Sequence, residues 1–99
     1  MLVHTVYFWL KEGLSDEQLA DFRTRLAKLG AIDAVEAFYW GTPAATADRS
    51  VIDKSFDYSI TVVVRDVAAH DRYQEDPVHR DFVEHCAPRF ERIVVYDVD

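Results

Sequence analysis

Apolar and polar positions divide the chain into a short series of elements. Leu2 to Leu10 is an apolar run rich in β-branched and aromatic side chains, which predicts a buried strand. Gly13 follows in a turn. The period then changes, because Leu19, Phe22, Leu26 and Leu29 recur at helical spacing and make one apolar stripe. Ser15 and Gln18 stand at the spacing of a capping box, and Leu14 and Leu19 at that of a hydrophobic staple. Asp16 and Glu17 suit the positive end of the helix dipole, and Gly30 supplies a stop. Ala34 to Trp40 predicts a second strand and Phe56 to Val64 a third. Between them runs the long connection Gly41 to Ser55, with Pro43, small residues and several charges. Asp66 caps a short helix reaching about Gln74. Asp76-Pro77 interrupts it, because the residue before a proline avoids helical geometry. Pro77 opens a second helical piece, and Pro88 disturbs its end. Ile93 to Val98 predicts the last strand.

The order strand, helix, strand, strand, helix, strand is the ferredoxin-like βαββαβ pattern of an α+β fold, an antiparallel sheet with its helices on one face. That topology leaves the other sheet face bare, and a bare face calls for alternating apolar and polar positions. The strands do not alternate. Val3, Tyr7 and Trp9 oppose Leu2, Val6, Phe8 and Leu10. Phe56, Tyr58, Ile60 and Val62 oppose Asp57, Thr61 and Val63. Ile93 and Val95 oppose Val94, Tyr96 and Val98. Both faces are apolar and no helix is left to cover the second. A second copy packing sheet against sheet, a homodimer, is the economical solution.

The 99 residues, 1–99, suffice for one domain with a thin core, to which a partner subunit would add a good deal. A net charge of −7 with scattered basic residues argues against nucleic acid and against an anionic membrane surface. No apolar run approaches the ~20 residues of a bilayer span. The opening segment lacks the basic flank and cleavage site of a secretion signal. The expected location is therefore the cytoplasm. Cys86 is the single cysteine, which excludes an internal disulfide and a CxxC metal site.

Candidate chemistry concentrates between Tyr73 and Phe82. After Pro77, His79, Phe82, Val83 and Cys86 fall on one helical stripe, so His79 points toward the core. An imidazole there is either a satisfied buried histidine or a functional one. Tyr73 is either a core aromatic or its partner. His4 alternates with Val6 and Phe8 on a buried strand face and either lines a pocket or is a satisfied core group. His70, one turn from Tyr73, reads as surface or as the rim of a pocket, and His85 reads as surface. Asp76 and His79 are too few to hold a metal without a third ligand, so no metal is expected. Cys86 lies on the core stripe, where thiols are usually inert. With Gly13, Gly30 and Gly41 as its only glycines, the chain has no phosphate-binding loop. Val51 and Ile52 make the 41–55 connection a candidate lid or dimer arm.

These residues resemble the stress-responsive dimeric α/β-barrel family. The likeness runs nearly end to end. It rests on His4 in the opening strand with Lys11-Glu12-Gly13-Leu14-Ser15 after it, on Phe38-Tyr39-Trp40-Gly41, and on Tyr73 to Phe82. This last stretch is similar to the family's Tyr-x-x-His-Pro-x-His-x-x-Phe motif, with Asp76 in place of its first histidine. The resemblance implies a ferredoxin-like protomer and a homodimer whose two sheets form the barrel. In a plant polyketide cyclase of the family, a tyrosine and a histidine at the positions of Tyr73 and His79 are the acid–base pair. A third-strand histidine of that enzyme falls at Tyr58 and a pocket tyrosine at Leu26, so a shared substrate is not implied. On this basis His79 would be the catalytic base, and Tyr73 would orient it or hydrogen-bond a developing enolate oxygen. His4, Tyr58, Phe22, Leu26 and Trp40 would line a small-molecule pocket, with no cofactor. The implied chemistry is cofactor-free proton transfer, as in cyclisation or isomerisation. The alternative is a non-catalytic, stress-responsive dimer that binds a ligand or a protein partner.

Overall fold

A computed structural model describes residues 1–99 of the chain. Its elements are β1 (Leu2–Leu10), α1 (Asp16–Lys28), β2 (Val35–Gly41), β3 (Tyr58–Val64), α2 (Val67–Glu75), α3 (Pro77–Cys86) and β4 (Phe90–Val98). The strands form one antiparallel sheet in the order β2-β3-β1-β4. This is the ferredoxin-like arrangement that the element order predicts. No helix is long and apolar enough to cross a membrane.

The helix boundaries follow the local chemistry. Both halves of the α1 capping box form: Gln18 N–H donates to Ser15 Oγ at 3.1 Å, and Ser15 N–H donates to Gln18 Oε1 at 2.9 Å. Asp66 accepts from Ala69 N–H at 2.9 Å and starts α2. Asp76 ends α2 and caps α3 by accepting from Val78 N–H at 2.8 Å. A carboxylate therefore does structural work at the position where the family motif has its first histidine.

α1 stops where expected, with Leu29 as its C-cap and Gly30 just beyond, but by a different means. Gly13, with φ 80°, is the one glycine in the left-handed region. Gly30 is not a left-handed cap, and the chain passes through a 3₁₀ turn at Leu29–Ala31. What Gly30 supplies is space. A Cβ there would stand 2.6 Å from Phe38 Cδ2 on β2. Gly30→Ala should therefore displace Phe38 and cost ~1–3 kcal/mol, the usual cost of overpacking. Urea denaturation checks this, and a variant as stable as the parent would refute the close-packing role.

The core lies between the helices and one sheet face. Leu2, His4, Val6, Phe8 and Leu10 of β1 and Tyr58, Ile60, Val62 and Val64 of β3 point into it. Phe8, Phe22, Phe82 and Phe90 pack ring on ring at its centre. The two central strands are covered by helices and edge strand β4 is not, so its core-side residues Ile93 and Val95 are 47% and 45% exposed. β4 begins at Phe90, earlier than the expected Ile93. Glu91 and Arg92 hide the strand in the sequence, but an edge strand tolerates such charges.

The opposite face carries Tyr39, Tyr96 and Val98, all largely exposed, with Tyr7, Trp9 and Val94 between them. Residues 42–57 fold back over this face. Phe56 packs edge-on against Tyr7, and Trp9 Nε1 donates to Ser55 Oγ at 3.0 Å. Alternation alone puts Phe56 on the Tyr58 face, and the structure reverses this. Asp57 N–H donates to the Phe8 carbonyl at 2.8 Å while the Asp57 carboxylate accepts from Leu10 N–H at 2.7 Å. This clamp bends the chain, so strand alternation starts only at Tyr58.

Candidate functional site

A cavity of about 250 Å³ lies between the core face of the sheet and the joint of α2 and α3. Its polar lining is His4, Tyr73, Gln74 and His79, and the rest is aliphatic and aromatic. Its position follows from the uncovered edge strand, since Ile93 and Val95 form one wall and remain partly open to solvent. Ligand pockets for drug-sized molecules run ~300–1,000 Å³, so this one suits a smaller molecule. Larger hollows exist elsewhere. One of about 530 Å³ lies on the opposite sheet face beneath the 42–57 segment, lined by Tyr7, Trp9 and Tyr96. Another of about 380 Å³ lies at the β1–α1 turn and gathers no histidine.

The break at Asp76-Pro77 brings Tyr73 and His79 together. Tyr73 ends α2 and His79 stands in the first turn of α3, and their rings meet edge to face at 4.9 Å between centroids. Tyr73 is 1% exposed, and its buried hydroxyl has no hydrogen-bond partner. Burial pushes this phenol well above its ordinary pKa of 10.0, so it keeps its proton. The imidazole of His79 shifts the other way. Burial disfavours its cation, the neighbouring His4 and His70 add to that, and Asp76 opposes it. A neutral imidazole beside a protonated phenol in a mostly apolar cavity is a base paired with a hydrogen-bond donor. Tyr73 does not hold the imidazole by a hydrogen bond.

His4 reaches the same cavity from β1. The β1–β4 register sets it opposite Asp97, and His4 Nδ1 lies 2.5 Å from Asp97 Oδ1. A carboxylate only accepts, so Nδ1 carries the proton and Nε2 is left free. The His4 ring is 5.9 Å from the Tyr73 ring and 5.1 Å from the His70 ring. His70, expected on the surface or at a pocket rim, is half-buried and turned toward His4. Asp97 carries no signal as a lone acidic residue near the chain end. Its alternation with Ile93 and Val95 on the core face of β4 is the pattern that could have found it.

The remaining candidates lie elsewhere. Phe22 and Leu26 are fully buried on α1, and Phe22 stacks behind two cavity-wall rings, Phe8 and Phe82. Tyr58 accepts from Arg23 Nη1 at 3.1 Å, and the half-exposed Trp40 leans on it at 6.2 Å. Tyr58, Phe22 and Trp40 thus form an aromatic row on the α1 side of the core. None of Phe22, Leu26, Tyr58 and Trp40 lines the cavity of Tyr73 and His79. Cys86 is buried, and burial pushes its thiol up to about 11, which keeps it protonated and unreactive.

An α+β protomer with a ferredoxin-like sheet and a histidine-lined cavity against its helices defines the class. The chain belongs to the stress-responsive A/B barrel domain family, whose model matches residues 2–99. Several solved structures share the fold. A family protein from Mesorhizobium loti is 27% identical, with 99% of this chain and 94% of that one covered and a TM-score of 0.77. A hydroxynitrile lyase from Passiflora edulis is 24% identical, with coverage of 98% and 90% and a TM-score of 0.79. A dimeric ferredoxin-like protein of unknown function from Thermobifida fusca is 20% identical, with coverage of 98% and 88% and a TM-score of 0.79. Among curated proteins, none matches the sequence.

Proposed function

We propose that this protein is a cofactor-free acid–base catalyst acting on a small carbonyl or hydroxy compound, with His79 as base and Tyr73 as hydrogen-bond donor to the developing oxyanion. The observation that carries the reading is the Tyr73 hydroxyl, buried against the cavity without a partner, beside an imidazole that burial keeps neutral. An unsatisfied buried hydroxyl costs ~1–3 kcal/mol, and a substrate oxygen would offset that cost. A structural role, in which Tyr73 and His79 pin the α2–α3 joint through hydrogen bonds, would leave that hydroxyl partnered. His4, which lines the same cavity, would serve as the third polar contact, with its free Nε2 available to a substrate hydroxyl. Cyclisation, isomerisation and cleavage of a hydroxynitrile all need removal of a proton by a base, and a hydroxynitrile lyase shares the fold.

Two probe reactions test the reading. One is exchange of α-protons of phenylacetone in deuterated water, followed by proton NMR. The other is release of benzaldehyde from mandelonitrile, followed by absorbance. Acceleration of either by the parent and not by a His79 variant supports it. No acceleration of either by the parent, together with no binding of these small ligands in the cavity, would favour the non-catalytic dimer.

The protein is further proposed to act as a homodimer joined through the exposed sheet face. Dimeric proteins of the same fold support this. So does the apolar face of Tyr7, Tyr39, Tyr96 and Val98, which nothing in the chain fully covers. Light scattering should give twice the chain's 11.4 kDa mass. Tyr96→Glu, on a residue 62% exposed in the single chain, should shift the protein to monomer by burying an unpaired charge in the interface. A parent of monomer mass at micromolar concentration would overturn the assignment.

A further inference from the structure

We propose that His4, His70 and Asp97 form a binding site for a divalent transition-metal ion, Zn²⁺ by ligand type, at the edge of the cavity. One ligand atom from each of these residues lies within 4.8 Å of the other two. They come from β1, α2 and β4, so the tertiary fold assembles the set and no local motif does. Two imidazoles with one carboxylate suit zinc and its neighbours, whereas magnesium and calcium require oxygen ligands.

Three features separate this cluster from a chance group of polar side chains. First, His4 is 5% exposed, and the β1–β4 register pre-sets it against Asp97, so two ligands are held before any ion arrives. Second, the His70 ring stands 5.1 Å from that of His4 and brings a second imidazole to the His4–Asp97 pair. Third, His70 Nδ1 lies 3.1 Å from Asp71 Oδ1, which leaves Nε2 free. Carboxylates behind metal-bound histidines fix the tautomer and raise ligand basicity in this way. By contrast His85, also beside a carboxylate at Asp81, is exposed and gathers no third ligand.

Zinc–nitrogen bonds of ~2.0–2.1 Å set ligand atoms closer than the span seen here. Small side-chain rotations of His70 and Asp97, both partly exposed, close the difference. The ion takes the place of the proton between His4 Nδ1 and Asp97, and the imidazole binds as a neutral ligand with its one proton moved to Nε2. Three protein ligands leave a fourth position for water or a small ligand. His4 also lines the cavity, so the ion would sit at its wall.

The test uses untagged full-length protein, stripped with chelator, and reads metal binding rather than turnover. Titration with Zn²⁺ by calorimetry should give one ion per chain at micromolar affinity or better. Co²⁺ should produce the visible absorption of a low-symmetry nitrogen–oxygen site. Loss of a supporting carboxylate costs ~10–100-fold in such sites, so Asp71→Asn should weaken binding by that much and His70→Ala by at least as much. His85→Ala should leave it unchanged. Asp97→Asn should also weaken binding, and circular dichroism checks that the variants fold. Because His70 is only half-buried, His70→Ala keeps the test decisive if Asp97→Asn unfolds. Binding no tighter than millimolar in the parent, or equal affinity in parent and His70→Ala, would overturn the proposal.

Discussion

Replacement of His79 by glutamine should lower the rate of whichever probe reaction the protein accelerates by ~10²–10⁴-fold, the usual worth of a positioned general base. Glutamine keeps much of the side chain's length and removes the basic nitrogen. No hydrogen bond ties the imidazole down, so the variant should unfold within about 1 kcal/mol of the parent. A rate unchanged by this substitution would remove His79 from the chemistry.

The pH profile gives a second handle on the same residue. The base must be neutral to act, so kcat/KM should be full at neutral pH and fall as pH drops through the pKa of His79. That midpoint should lie below the ordinary 6.5, because burial and then His4 and His70 disfavour the cation while Asp76 alone opposes them. Tyr73, facing His79 from α2, stays protonated across this range. Asp76→Asn keeps a capping side chain on α3 and removes the opposing charge, so the midpoint should fall further. Stability follows the same sign. Between the lowered folded value and 6.5 the unfolded chain binds more protons at this group, so its contribution to stability rises with pH in that window and is lost in acid. His79→Gln should abolish that contribution.

Tyr73→Phe should produce two effects of opposite sign. Activity should fall by ~10²–10³-fold, as when one oxyanion donor is removed. Stability should rise by about 1 kcal/mol, because a buried hydroxyl without a partner is replaced by hydrogen at unchanged ring packing. For a domain of this length that corresponds to a melting temperature higher by ~4–8 °C. A purely structural tyrosine predicts the reverse, since loss of a satisfied hydroxyl destabilises. Melting curves of parent and variant therefore decide between the catalytic and structural readings even before a substrate is known. A Tyr73→Phe variant that melts lower than the parent would count against the assignment of this hydroxyl.

The fold was largely legible in the sequence because its elements announce themselves locally. The Ser15–Gln18 capping box, the break at Asp76-Pro77 and the two-faced apolar strands are short-range signals, and each appears where expected. What local signals miss comes from other elements. Gly30 marks the helix end by its own preference, but the contact that demands a glycine there is with Phe38 on β2. Alternation puts Phe56 on the Tyr58 face, whereas the Asp57 clamp to β1 turns it to the opposite one.

The site divides in the same way. Tyr73 and His79 lie six residues apart across one helix break, and both the stripe and the family motif bring them to notice. His4 stood out because its neighbours on alternate positions are apolar. Asp97 is hidden, His70 reads only as surface or pocket rim, and no cluster with His4 can be read from spacing in the chain. Periodicity reports which face a residue occupies on its own element. It carries nothing about which residues of other elements share that face, and that is set by strand register and helix docking. The sequence by itself therefore determined the order of elements, their faces and the Tyr73–His79 pair. The tertiary structure alone decided that the cavity opens beside the uncovered β4. It also set Phe22, Leu26, Tyr58 and Trp40 away from that cavity, and brought Asp97 and His70 to His4, because these outcomes depend on contacts between segments distant in the chain.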